Sequence, residues 1–130
     1  MNITIKHFVN LLSQKDLSYG HAHGWLEDQD ERFCENNLNR QTAARIIHQF
    51  MKIELGVPDI EDISPANVLI DLYNCHTCVN HIAQVYLRGI IKEQTIVHDG
   101  KEYKVFNHLE EMTKEEAEEG LGALYVRCAN

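Results

Sequence analysis

A chain of 130 residues, 44% hydrophobic and 25% charged, fits one domain around a single core. Its net charge of −8 argues against a dominant nucleic-acid surface, which needs cations to displace counterions from phosphates. No apolar run is long enough to cross a bilayer.

The opening MNITIKHFVNLLSQ is not patterned as a secretory signal: polar residues interrupt its apolar ones and no small-residue cleavage site follows. A cytoplasmic location is expected, or the cell wall if an export leader has been removed. Residues 3–15 read as a helix with Ile5, Phe8, Val9 and Leu12 on one stripe. Asp16–Gly24 breaks the pattern and carries His21 and His23. A polar loop, GWLEDQDERFCENN, follows with Trp25 and Phe33 as its core anchors. A second helix starts near Asn39, a good N-cap, and carries Ala43, Ile46, Ile47, Phe50 and Met51 to a stop near Gly56 and Pro58. Residues 57–64 connect to a short helical turn opened by Ser64-Pro65.

The clearest amphipathic stretch runs from Asp71 to Glu93. Cys75, Val79, Ile82, Tyr86 and Ile90 share one helical face, Asn74 is the expected cap and Gly89 the expected stop. This helix of residues 74–88 is expected to be the element around which the others pack. Two β-favouring runs flank Asp99-Gly100 and predict a hairpin at residues 95–106. Thr113 to Glu116 forms a capping box that opens the last helix, and LYVRCAN reads as an irregular end or a short strand. The run Glu110, Glu111, Glu115, Glu116, Glu118 and Glu119 reads as a solvated face.

Two stretches resemble each other. Leu38 to Ile47 aligns with Met112 to Leu121: an apolar residue, a capping residue, a cation and an alanine one turn into a helix. Upstream, Gly24-Trp25-Leu26 aligns with Gly89-Ile90-Ile91, and Phe33 with Phe106. The expected architecture is therefore a mainly α-helical single domain, 1–130, of two similar units at about 3–56 and 64–125 with one short β-hairpin. One such unit cannot bury its apolar face alone, so the two should share a core.

The order of these features resembles the S-layer homology domain. Leu69-Ile70-Asp71-Leu72, Gly89-Ile90-Ile91, Phe106 and Met112 to Ala117 resemble its opening, turn and closing motifs, and Gly24-Trp25-Leu26, Phe33 and Leu38 to Ala43 do so in the first unit. The resemblance implies a non-enzymatic binding or scaffold module. Its ligand would be an anionic cell-wall glycan or a partner protein, with Arg40 and Lys114 at helix starts that also favour an anion. Trp25 is the candidate for stacking on a sugar, although burial is the better assignment for a lone tryptophan. The family has three units and this chain shows two, so a second copy could supply the third, as a homodimer.

The competing chemistry centres on Cys75-His-Thr-Cys78 with His81. These are ligand types for zinc, with His21, His23, Cys34, His108 or Cys128 as the fourth ligand. Alternatively the CxxC is thiol-active at a helix start, or both cysteines are small buried apolar groups. No catalytic constellation is readable: the serines lack a nucleophile-elbow context and there is no phosphate-cradling glycine loop.

Overall fold

The computed structural model describes residues 1–128, and the side chains of 1–126. Within these limits the chain is mainly helical with one antiparallel hairpin, as the sequence pattern predicts. The helices are α1 (Ile5–Ser13), α2 (Leu17–Ala22), α3 (Asp28–Arg32), α4 (Arg40–Ile53), α5 (Val79–Leu87) and α6 (Lys114–Cys128). The hairpin joins β1 (Gln94–His98) to β2 (Lys101–Val105), and short 3-10 turns lie at Ser64–Val68, Leu72–Asn74 and His76–Cys78.

Local chemistry starts most of these elements. Thr4, Asp16 and Asn39 each accept a hydrogen bond from the third amide of α1, α2 and α4, and Thr113 accepts from Glu116 at the start of α6. Asp99 and Gly100 both take positive φ, 51° and 76°, as the tight turn between β1 and β2 requires. Side-chain periodicity then buries Phe8, Val9 and Leu12 of α1, Ile46, Ile47 and Phe50 of α4, and Ile82 and Val85 of α5 in one core, with α4 lying along α5.

The centre is built from three short extended segments that precede α1, α4 and α6. Thr4 bridges Asn37, Asn39 bridges Glu111, and Thr113 bridges Asn2, so each segment pairs with both others and the ring closes. The hydrogen bonds repeat around it: the amides of Ile5, Arg40 and Lys114 donate to the carbonyls of Asn36, Glu110 and Met1 at 3.0, 3.0 and 2.8 Å. Ile3, Leu38 and Met112, the middle residues of the three segments, are all buried.

Two helix exits also match. Gly24 and Gly89 both take positive φ, 88° and 72°, and donate back to His21 and Tyr86. The next two amides, of Trp25 and Leu26 in one case and Ile90 and Ile91 in the other, share a single acceptor, the carbonyl of Gly20 or of Val85. All four of these apolar side chains are buried. α6 crosses the second exit so closely that a Cβ on Gly120 would lie 2.9 Å from the Ile90 carbonyl oxygen.

Several expectations change. The Asp16–Gly24 break and the following loop contain α2 and α3. Phe33 is 49% exposed rather than a core anchor, because it closes the short helix α3 and turns outward. Asn74 does not cap the central helix: it ends one 3-10 turn, a second intervenes, and α5 begins at Val79 with Cys78 as its cap residue. The last helix runs on to Cys128 rather than ending in a strand, and Ala129 and Asn130 of the LYVRCAN stretch lie outside the described residues.

Candidate functional site

The residues expected to meet an anion are mostly turned inward. Arg40 has no solvent exposure. Its Nε donates to the Phe106 carbonyl at 2.7 Å, one terminal nitrogen donates to the Lys92 carbonyl at 2.5 Å, and the other pairs with Glu116. Its guanidinium carbon also sits 4.9 Å from the Phe106 ring centre. The first turn of α4 is equally occupied: Arg40, Gln41, Thr42 and Ala43 donate to Glu110, His108, the Asn39 side chain and the Asn39 carbonyl. A helix start attracts anions through free amides, and these four are engaged. Arg40 is thus a buried tie between α4 and α6, a correction to its expected role as a ligand cation.

Lys114 is half-buried and makes no ion pair among the described residues. Trp25 is fully buried, edge-on to Phe50, with Nε1 donating to Glu54 at 3.1 Å. That burial removes it as a sugar-stacking surface. His21 and His23 diverge, His21 to Asp28 and Glu31 and His23 to Glu54.

The second set of residues does converge. Cys75 and Cys78 are joined by a disulfide across the 3-10 turn, with their Cα atoms 5.2 Å apart. Cys75 is half-buried and Cys78 is buried. Sulfurs bonded to each other cannot serve as the thiolates zinc requires. Among the described residues, no three His, Cys, Asp or Glu side chains gather as a metal site. The zinc reading of Cys75, Cys78 and His81 is corrected on that ground, as is the reading of Cys75 and Cys78 as free apolar groups. The Cys128 side chain lies outside the described residues.

The disulfide borders two clefts. One, of about 240 Å³, is lined by Cys75, Cys78, His81, Arg45, Thr42 and Glu27. The other, of about 470 Å³, lies between Cys75, Asp71, Asn107 and His108. A larger cleft of about 550 Å³ runs along α1 and α2 past Lys6, His7 and Lys15, away from this chemistry.

Behind His81 stands a chain of hydrogen-bonding rings. His81 Nδ1 is 2.8 Å from His48 Nδ1, and His48 Nε2 is 2.6 Å from Asp59 Oδ1. A carboxylate only accepts, so His48 Nε2 carries the proton. In the neutral imidazole, Nδ1 of His48 is then the acceptor, and His81 donates from Nδ1. That leaves His81 Nε2 as a lone pair. Burial, then the charge that His48 carries only when protonated, and those of Arg45 and Lys52, hold His81 down to about 4 despite the opposing pull of Asp59. Burial alone would raise Asp59, but hydrogen bonds from His48 and Asn80, with the charges of His48 and Lys52, bring it below the usual carboxylate value.

Sequence reasoning picks out Cys75, Cys78 and His81 but not His48 or Asp59. Those two lie in other segments and share no spacing rule with the CxxC.

Comparison with protein-family models, curated proteins and solved structures finds no match to this chain.

Proposed function

We propose that the chain is a non-enzymatic binding or scaffold module with an arrangement like that of the S-layer homology domain, and that its ligand is a partner protein. The closed ring of three capped helix starts carries this reading. It brings Leu38 and Met112, the aligned positions of the two units, together and sets Ile3 beside them as a third. The third place is then filled from within the chain, and the reason for invoking a homodimer falls away.

Two observations favour a protein over an anionic glycan. Arg40 and the first-turn amides of α4 are spent on internal bonds, and a net charge of −8 repels a polyanion. By contrast, the edge formed by the hairpin and the 69–70 segment exposes apolar side chains. Leu69 bridges Lys104, and Tyr103 pairs with Ile96, so alternation sets Ile70, Tyr103 and Ile96 on one face. Ile70 and Ile96 are exposed there. A partner with an apolar centre fits this face.

The test is a photo-crosslinking residue at position 96 of the full chain, compared with one at the exposed position 35 beside Lys6, in the native cells. A discrete protein adduct at 96 that is absent at 35 and lost with Ile70→Glu supports the reading. Co-sedimentation with purified wall polymer that disappears with Lys114→Ala would restore the glycan and overturn it.

A further inference from the structure

We infer that Cys75 and Cys78 form a thiol–disulfide exchange centre, in which Cys75 is the sulfur attacked by a partner thiolate and Cys78 is the leaving sulfur, positioned against the Asp59–His48–His81 chain. Three independent features converge on this. The first is asymmetry: Cys75 is half-buried and lines both clefts, whereas Cys78 is buried and lines only the smaller one. An incoming thiol therefore reaches Cys75 first.

The second is an unfilled cap. α1, α2, α4 and α6 each begin on a side-chain oxygen that accepts from a first-turn amide, whereas Cys78, at the cap position of α5, makes no such bond. Breaking the disulfide frees Cys78 Sγ, and a thiolate at that position can accept from those amides and is stabilised by the positive end of a nine-residue helix. The third is the ring chain: the neutral tautomers leave a lone pair on His81 Nε2 in the cleft that Cys78 also lines.

The step balances with a partner dithiol as the reductant. One partner thiolate attacks Cys75 Sγ. A mixed disulfide forms, the Cys75–Cys78 bond breaks, and the electron pair leaves on Cys78 Sγ. The proton shed by the partner thiol goes to solvent, and Cys78 is reprotonated from solvent, its S–H donating to the His81 Nε2 lone pair. The second partner thiolate attacks its own sulfur in the mixed disulfide and releases Cys75, which takes the second proton. The chain ends as a dithiol and the partner as a disulfide, with two electrons and two protons transferred. The reverse sequence oxidises the chain. The groups facing His81 are His48, Arg45 and Lys52 from α4, Asp59 from the connector, Glu27 across the cleft and Cys78 on its own turn.

The experiment uses the full chain with Cys34→Ser and Cys128→Ser, so that only the two sulfurs report. Mass spectrometry after alkylation should show a disulfide in the purified protein and two added alkyl groups after dithiothreitol. With Cys78→Ser added, oxidised glutathione should form an adduct on Cys75. With Cys75→Ser instead, the adduct on Cys78 should form at least about tenfold more slowly. His81→Gln should slow the dithiothreitol reaction at pH 7 by about tenfold, the equivalent of one pK unit, while its circular dichroism stays unchanged. Asp59→Asn, at the more exposed end of the chain, should act in the same direction and serves if the His81 variant does not fold. Two free thiols in the air-oxidised protein, equal adduct rates at the two cysteines, or an unchanged rate in a folded His81 or Asp59 variant would each overturn the proposal.

Discussion

The helix starts at Asn39 and Thr113 and the one at Cys78 face the same physical problem, a first turn of unpaired amides, and meet it differently. At Asn39 and Thr113 a side-chain oxygen reaches forward, neighbouring carbonyls take the remaining amides of α4, and Arg40 ties the two helices through Glu116. At Cys78 the cap atom is held in a bond to Cys75 and no side chain caps the helix. A helix start whose groups are all satisfied from within is a joint. One without a side-chain cap, and with a disulfide sulfur at the cap position, is where the proposed thiol–disulfide exchange would act.

The contrast breaks most readily at the joint. Arg40→Ala would leave Glu116 and the carbonyls of Phe106 and Lys92 without their donor inside the fold. It is expected to cost about 3–5 kcal/mol in urea unfolding, as loss of one partner of a buried pair does. A cost below about 1 kcal/mol would mean that water replaces the guanidinium and that the site can admit a ligand after all. Leu38→Ala, at the centre of the ring, is expected to cost about 2–5 kcal/mol. Asn39→Ala and Thr113→Ala should each cost about 1 kcal/mol through the lost cap.

At the other start the contrast is sharpened by giving α5 the oxygen it lacks. In a Cys75→Ala background, Cys78→Ser should be more stable than Cys78→Ala by about 0.5–1 kcal/mol. Equal stability would show that the first turn of α5 gains nothing from a cap.

The pH dependence separates the two regions in a milder way. His81 titrates near 4 in the folded chain and near 6.5 unfolded. Between those values the unfolded chain binds the extra proton, so stability is fully present above about 6.5 and is lost as pH falls toward about 4. Asp59, whose folded value is depressed, loses its contribution in the same direction at lower pH. Melting temperature should therefore fall from pH 7.5 to pH 4.5, and His81→Asn should flatten that fall. An identical slope in the variant would place the acid sensitivity elsewhere.

Much of the fold was legible because its signals are local. Asn39, Thr113 and Asp99-Gly100 act within a few residues of themselves, and the structure uses each as its residue type suggests. Asn74 misled because the apolar spacing through Cys75 and Val79 suits either a helix or the 3-10 turns that precede it, and burial rather than propensity fixes the boundary. The ring was half legible. Leu38 and Met112 sit in similar motifs, but Ile3-Thr4 lacks the upstream glycine and phenylalanine that would mark a third, and its pairings are far apart in sequence.

Arg40 was misjudged for the same reason. A cation at a helix start reads as an anion site until a carboxylate 76 residues away is found against it. His48 and Asp59 carried no spacing signal at all, since they meet His81 only through the packing of α4 on α5.

The closed ring is tested most directly by native-state hydrogen exchange of the amides of Ile5, Leu38, Arg40, Met112 and Lys114. If the three segments hold one another as described, the five should exchange together, at the rate set by global unfolding. Rapid exchange at Ile5 and Lys114 while Arg40 stays protected would mean that the N-terminal segment is only loosely attached. The ring, with the three-part scaffold built on it, would then be contradicted.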